Sequence, residues 1–146
     1  MIDSGSGTLS FSGHERRIDA RLTKTDLLAS DLSKNAELTV QNDLWSTWSL
    51  GIFGDRFGDF SIAVTFEGER LRFLTLLKNL PGGELGWSHW TEESEILRKQ
   101  HHDAYLNILL GRERIFSWGS VSSSFDRKSA VSIITVSFSS QAPETT

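Results

Sequence analysis

The sequence predicts an α+β domain: a mostly antiparallel sheet with one long helix packed across one face. Three observations carry this. Apolar residues alternate at period two in several short stretches, the signature of half-buried strands. Residues 92–110 instead carry helix-start and helix-stop chemistry at their two ends. The strand patterns come in runs separated by turn residues rather than alternating with helices, which favours antiparallel hairpins over a parallel sheet. The expected order is β-β-α-β-β-β-α-β-β. At 146 residues, the chain is expected to form one domain, residues 1–146, frayed at 1–7 and 139–146.

Taken in order, residues 8–12 alternate with Leu9 and Phe11 on one face, and residues 17–22 do so with Ile18, Ala20 and Leu22. Gly13 and His14 lie between them, so a hairpin is expected. Thr23 then reads as a helix cap with Asp26 in the first turn, where the helix dipole favours an acid. Leu27, Leu28 and Leu32 follow at helical spacing. Residues 37–50 keep a strand period through Leu38, Val40 and Leu44, with an irregularity expected at Trp45 and Trp48. Residues 51–59, GIFGDRFGD, are rich in glycine and read as a loop.

Residues 60–66 give the cleanest strand, with Phe60, Ile62, Val64 and Phe66 on one face. Glu67, Gly68 and Glu69 turn it, and residues 70–77 return as its partner. Residues 79–90 read as a loop holding Trp87, His89 and Trp90. Thr91 caps the long helix, Glu92, Glu93 and Glu95 occupy its first turn, and Gly111 stops it. Leu97, His101, Ala104, Tyr105 and Ile108 make the expected inward stripe. Residues 116–138 close the fold as two strands joined by a polar turn at Asp126, Arg127, Lys128 and Ser129.

Composition excludes several function classes. A net charge of −4 argues against a phosphate-backbone binder, so no nucleic-acid partner is expected. The absence of cysteine removes disulfide scaffolds, thiolate metal sites and cysteine nucleophiles. The first residues show no basic and apolar signal-peptide pattern, and no apolar run is long enough to span a bilayer. A cytoplasmic protein without a membrane partner is the expectation.

Motifs of catalysis are weak throughout. His101 and His102 are adjacent, so on a helix their side chains diverge by about 100° and do not readily share one metal ion. Glu92, Glu93 and Glu95 suit a helix N-terminus without any acid–base role. Ser120, Ser122, Ser123 and Ser124 stand in a strand pattern and lack a nucleophile elbow. The glycine-rich stretches 51–58 and 82–86 match no phosphate-binding spacing, and Asp55 and Asp59 fall short of a calcium loop. No enzyme activity, cofactor or metal is expected.

Five tryptophans are the most distinctive feature, four of them in or beside loops. Tryptophan offers large rigid contact area with one polar handle, so loop tryptophans suit a protein- or sugar-binding surface. The expected partner-binding residues are Trp87, His89, Trp90, Phe57 and Arg56, with Phe53 nearby. Against this stands the reading that the rings only close the core.

The helix end at Leu109, Leu110 and Gly111, then Trp118 to Ser123, Phe125 to Lys128 and Ile133 to Phe138, resemble the tail of small bacterial cytosolic proteins. Some of these look like immunity proteins that neutralise a neighbour's toxin, and others like mobile gene-cassette products. The resemblance covers the last quarter of the chain and implies a protein that binds and blocks an enzyme. The leading expectation is thus a non-enzymatic protein-binding domain, an inhibitor or immunity protein. The alternative is a small-molecule carrier or small hydrolase with an apolar pocket lined by Phe60, Ile62, Val64 and Tyr105 above His101. A homodimer through a sheet face or edge strand is a third reading.

Overall fold

The strongest period-two run in the chain builds the centre of the sheet. The computed structural model describes residues 2–79, 91–126 and 131–139. Its strands are β1 (Glu37–Asn42), β2 (Trp45–Asp55), β3 (Gly58–Glu67), β4 (Arg70–Lys78), β5 (Ile115–Phe116), β6 (Gly119–Asp126) and β7 (Val131–Phe138). They form one sheet in the order β1-β2-β3-β4-β7-β6-β5, antiparallel at every pairing. The α+β class follows, with the long helix α2 (Glu92–Leu110) against one face.

Opposed residues in an antiparallel pair share a face, so the register sorts the side chains. Val64 stands opposite Leu74, which stands opposite Val136, and Val136 opposite Val121, all buried. The neighbouring row on the other face runs Ala63, Thr75, Thr135 and Ser122. Apolar rows inside and hydroxyl rows outside are what one covered face requires.

Two expectations are corrected here. Residues 37–50 do not make one strand: the chain reverses at Asp43 and Leu44, and Asn42 pairs with Trp45. Asp43 takes φ 54°, the left-handed region that Asp tolerates in a tight turn. The irregularity expected at Trp48 is present, since the register shifts between the pairs Leu38–Trp48 and Val40–Thr47, and a second falls between Ser49 and Gly51; Trp45 pairs regularly. Residues 51–59 are also not a loop. β2 continues through them to Asp55, and only Arg56 and Phe57 remain outside the strands. Gly51 (φ 94°) absorbs the bulge, and Phe53 pairs with Phe60 so that both rings are buried.

The N-terminal hairpin exists only as isolated bridges, Ile2 to Leu9 and Leu9 to Ile18. Leu9, Phe11, Ile18 and Leu22 turn inward as their alternation predicts, while Ala20 is exposed. Residues 2–7, expected to fray, are instead tied down. Ile2 is buried, Asp3 N donates to Thr8 O at 2.9 Å, and Trp118 Nε1 donates to Ser4 O at 2.8 Å. Gly7 (φ 75°) lies so close over the Trp118 ring that a Cβ there would overlap it. The short helix α1 (Lys24–Leu28) is capped by Thr23 Oγ1, which accepts from Asp26 N at 3.0 Å. A 3₁₀ turn follows at Asp31–Ser33, and Leu27 and Leu32 enter the core.

The bounds of α2 match the sequence: Thr91 and Ser94 form a reciprocal capping box, and Gly111 ends the helix at φ 68°. Its inward face does not match. Leu97 and Ile108 are exposed, as is Ala104, and His101 sits on a flank. The buried residues are Glu95, Arg98, His102, Tyr105, Leu106 and Leu110. Among the described residues no helix is long and apolar enough to cross a membrane.

Candidate functional site

Polar residues on the buried face of α2 have a cause in the sheet. β4 and β7 pair from Phe73 and Ser137 to Leu76 and Ile134, and there the pairing stops. Continued in register, Leu77 would face Ile133 and Lys78 would face Ser132. The helix supplies those missing partners instead. His102 Nε2 accepts from Lys78 N at 3.0 Å, and Arg98 Nε donates to Lys78 O at 3.0 Å. Glu95 Oε1 accepts from Ser132 N at 2.9 Å, and Ser132 Oγ donates to Glu95 O at 2.8 Å. Arg98 Nη1 also donates to Glu95 Oε2, closing a buried ion pair. The side chains of α2 form a wedge between two parting strands and satisfy backbone groups that burial would otherwise strand.

His102 is fully buried, and burial, aided by the neighbouring Arg98 guanidinium, pushes its pKa down to about 4. Its ring is therefore neutral near pH 7, with Nε2 as the acceptor. Nδ1 is buried and meets no partner among the described residues. On the flank, burial would raise Asp103, but the Ser123 hydroxyl and Lys99 outweigh it and hold the carboxyl below its ordinary value. Lys99 Nζ lies 2.9 Å from it. These groups have structural partners already and do not converge on a reacting position. Among the described residues no three His, Asp or Glu side chains gather as a metal site.

A cleft of about 430 Å³ lies elsewhere, where the N-terminal segment meets the β2–β3 turn and the end of α2. Arg17 and Arg56 line it together with Asp3, Ser6, Ile108 and Leu109. Arg56 lies over the Phe57 ring at 5.0 Å, and Phe57 meets Tyr105 edge-on at 5.3 Å. The helix thus braces the ring that braces the guanidinium. Asp3, which could neutralise an arginine, is turned into its own loop: Ser6 Oγ donates to it at 2.6 Å and Gly5 N at 3.5 Å. The Ser6 hydroxyl, and then the Gly5 amide, hold its carboxyl below the usual value.

A third feature is the β1–β2 hairpin. Every residue of β1 is exposed, and its outer edge pairs with nothing among the described residues. Leu38 (47%), Val40 (54%) and Leu44 (66%) present apolar surface there.

Of the partner-binding residues expected from sequence, Trp87, His89 and Trp90 lie outside the described residues. Arg56 and Phe57 are brought together at the β2–β3 turn, while Phe53 is buried against Phe11 at 5.4 Å. The expected walls of an apolar pocket, Phe60, Ile62, Val64 and Tyr105, are core residues, with the Phe60 and Tyr105 rings 4.8 Å apart. His101 does not floor them; its Nδ1 lies 3.2 Å from Lys78 Nζ on the helix flank. Trp118 stacks on Phe116 at 5.0 Å and clamps the N-terminal turn, and Trp48 Nε1 donates to Ser46 Oγ. Two features are not evident from the sequence. Arg17 looked like the start of a strand. Glu95, Arg98 and His102 share one helical face by their spacing of three and four, a signal masked by their polarity. No family model, no curated protein and no solved structure matches the chain.

Proposed function

We propose that the protein is a non-enzymatic protein-binding domain of the inhibitor or immunity kind, acting in the cytoplasm by docking onto and blocking a partner. The observation that supports this reading most is the open β1 edge. Sheet edges are ordinarily blunted by lysine, proline or a covering element, because their free N–H and C=O groups template further strands. The β1 sequence ELTVQN contains neither residue, and Leu38 and Val40 are exposed on it. A partner offering an extended segment would add a strand there, taking affinity from backbone hydrogen bonds and selectivity from the side chains beside it. Trp87, His89 and Trp90, with Arg56 and Phe57, complete the proposed contact set.

The test uses Leu38→Lys with Val40→Lys, two exposed positions where charge blocks strand addition without entering the core. The protein from its native host is immobilised, and a partner retained at one-to-one stoichiometry is then titrated against both forms. At least tenfold weaker binding by the lysine form, with unchanged thermal unfolding, is the expected outcome. Equal affinity removes the edge from the proposal, and equal affinity of a Trp87→Ala/Trp90→Ala form removes the aromatic contacts. A mass in solution of twice 16.4 kDa that the lysine pair abolishes would make the occupant a second copy of this chain.

A further inference from the structure

We propose that the cleft between Arg17 and Arg56 binds a small organic oxyanion, a carboxylate or phosphate monoester with an apolar body. This site lies away from the β1 edge, at the opposite end of β2, and shares Arg56 with the proposed partner contacts. Three observations converge on it. Both cleft guanidiniums lack a carboxylate partner among the described residues, although other arginines nearby have one, such as Arg16 with Asp26 at 3.9 Å. The cleft's own carboxylate, Asp3, is engaged by Ser6 and Gly5 in a turn that holds it away from that role. The protein's net charge is −4, yet this cleft gathers two cations against one committed anion.

The geometry also says what kind of anion fits. Arg56 Cζ lies 5.0 Å from the centroid of the Phe57 ring, and a guanidinium takes carboxylate and phosphate oxygens on its planar N–H fork. Ser4 and Thr8 also line the cleft. Ile108, 65% exposed, and Leu109 supply an apolar wall that a bare inorganic ion would not use. A volume of about 430 Å³ lies within the range of small-molecule sites.

The probes are phenyl phosphate, benzoate and inorganic phosphate, each titrated into the full chain and followed by amide chemical shifts at Arg17, Arg56 and Ile108. Saturable binding of phenyl phosphate or benzoate at about 10 mM or below, tighter than inorganic phosphate, is expected. Arg17→Gln and Arg56→Gln should each weaken it about tenfold, a change of about 1.4 kcal/mol. Arg56→Lys, which keeps the charge and loses the planar fork, should also weaken it. Both positions are peripheral to the core, so thermal unfolding serves as the check that each variant folds. Binding of phenyl phosphate that the two glutamine variants leave unchanged overturns the proposal, as does the absence of saturation by any probe. Preference for phenyl phosphate over benzoate would identify a phosphate ester as the ligand, and the reverse a carboxylate.

Discussion

His102 should make the protein lose stability as pH falls, and the size of the loss follows from its position. In the unfolded chain a histidine titrates near 6.5, whereas in the fold burial and Arg98 bring His102 down to about 4. Between those values the unfolded state binds a proton that the native state refuses, so stability falls with decreasing pH. Above the upper value both states are neutral and the site contributes no slope. At about pH 5 the linkage relation gives a loss of about 2 kcal/mol, and below the lower value it levels off at roughly 3 kcal/mol. Urea unfolding of the wild type and His102→Gln would be compared at about pH 7.5 and pH 5. Glutamine can still accept from Lys78 N but does not titrate. The variant should be less stable at the higher pH and close most of that gap at the lower one. Parallel pH profiles would refute the buried, neutral His102, because the other histidines are common to both proteins.

The ion pair beside it gives a second test. Glu95→Gln leaves Arg98 buried without its counter-charge and should cost about 3–5 kcal/mol. Combining it with Arg98→Met should cost less than the sum of the single changes, with a coupling of about 1–3 kcal/mol in urea denaturation. Simple additivity would mean that the two side chains act separately. Gly7→Ala forces a Cβ into the Trp118 ring at a left-handed backbone position. It should destabilise by about 1–3 kcal/mol and red-shift the tryptophan emission as the ring is displaced. An unchanged spectrum would mean that the N-terminal turn does not cover Trp118.

The β3–β4 hairpin was legible because two signals agreed: strict alternation from Phe60 to Phe66 and a Glu-Gly-Glu turn, with Gly68 at φ 60°. The ends of α2 were legible for the same reason, since Thr91 and Gly111 mark them chemically. Its rotation was not. The periodicity rule looks for apolar residues, and here half the buried face is Glu95, Arg98 and His102. Nothing local to residues 92–110 announces that two strands part beside them. The glycines at 51 and 58 misled in the opposite direction, because a bulge and a tight turn use the same residue as a loop does. Arg56 and Phe57 could be picked out as a turn-borne pair, but Arg17 joins them only through tertiary packing.

The polar wedge also decides where the cleft lies. Buried ion pairs can often be replaced by apolar residues of like volume without loss. Here replacing the pair would strand Lys78 O and Ser132 N, and losing His102 would strand Lys78 N, each unpaired buried group costing about 1–3 kcal/mol. The helix is therefore held by directional bonds at its first half, which fix both its rotation and its register along the sheet. Its second half places Tyr105, Leu106 and Leu110 in the core. A helix turned so that Leu97, His101 and Ala104 faced inward would break all three backbone contacts. It would also swing Ile108 and Leu109 off the cleft wall and disturb the contact of Tyr105 with Phe57. The apolar wall of the cleft thus stands where it does because Glu95, Arg98 and His102, at the far end of the same helix, complete a strand pair that the sheet leaves open.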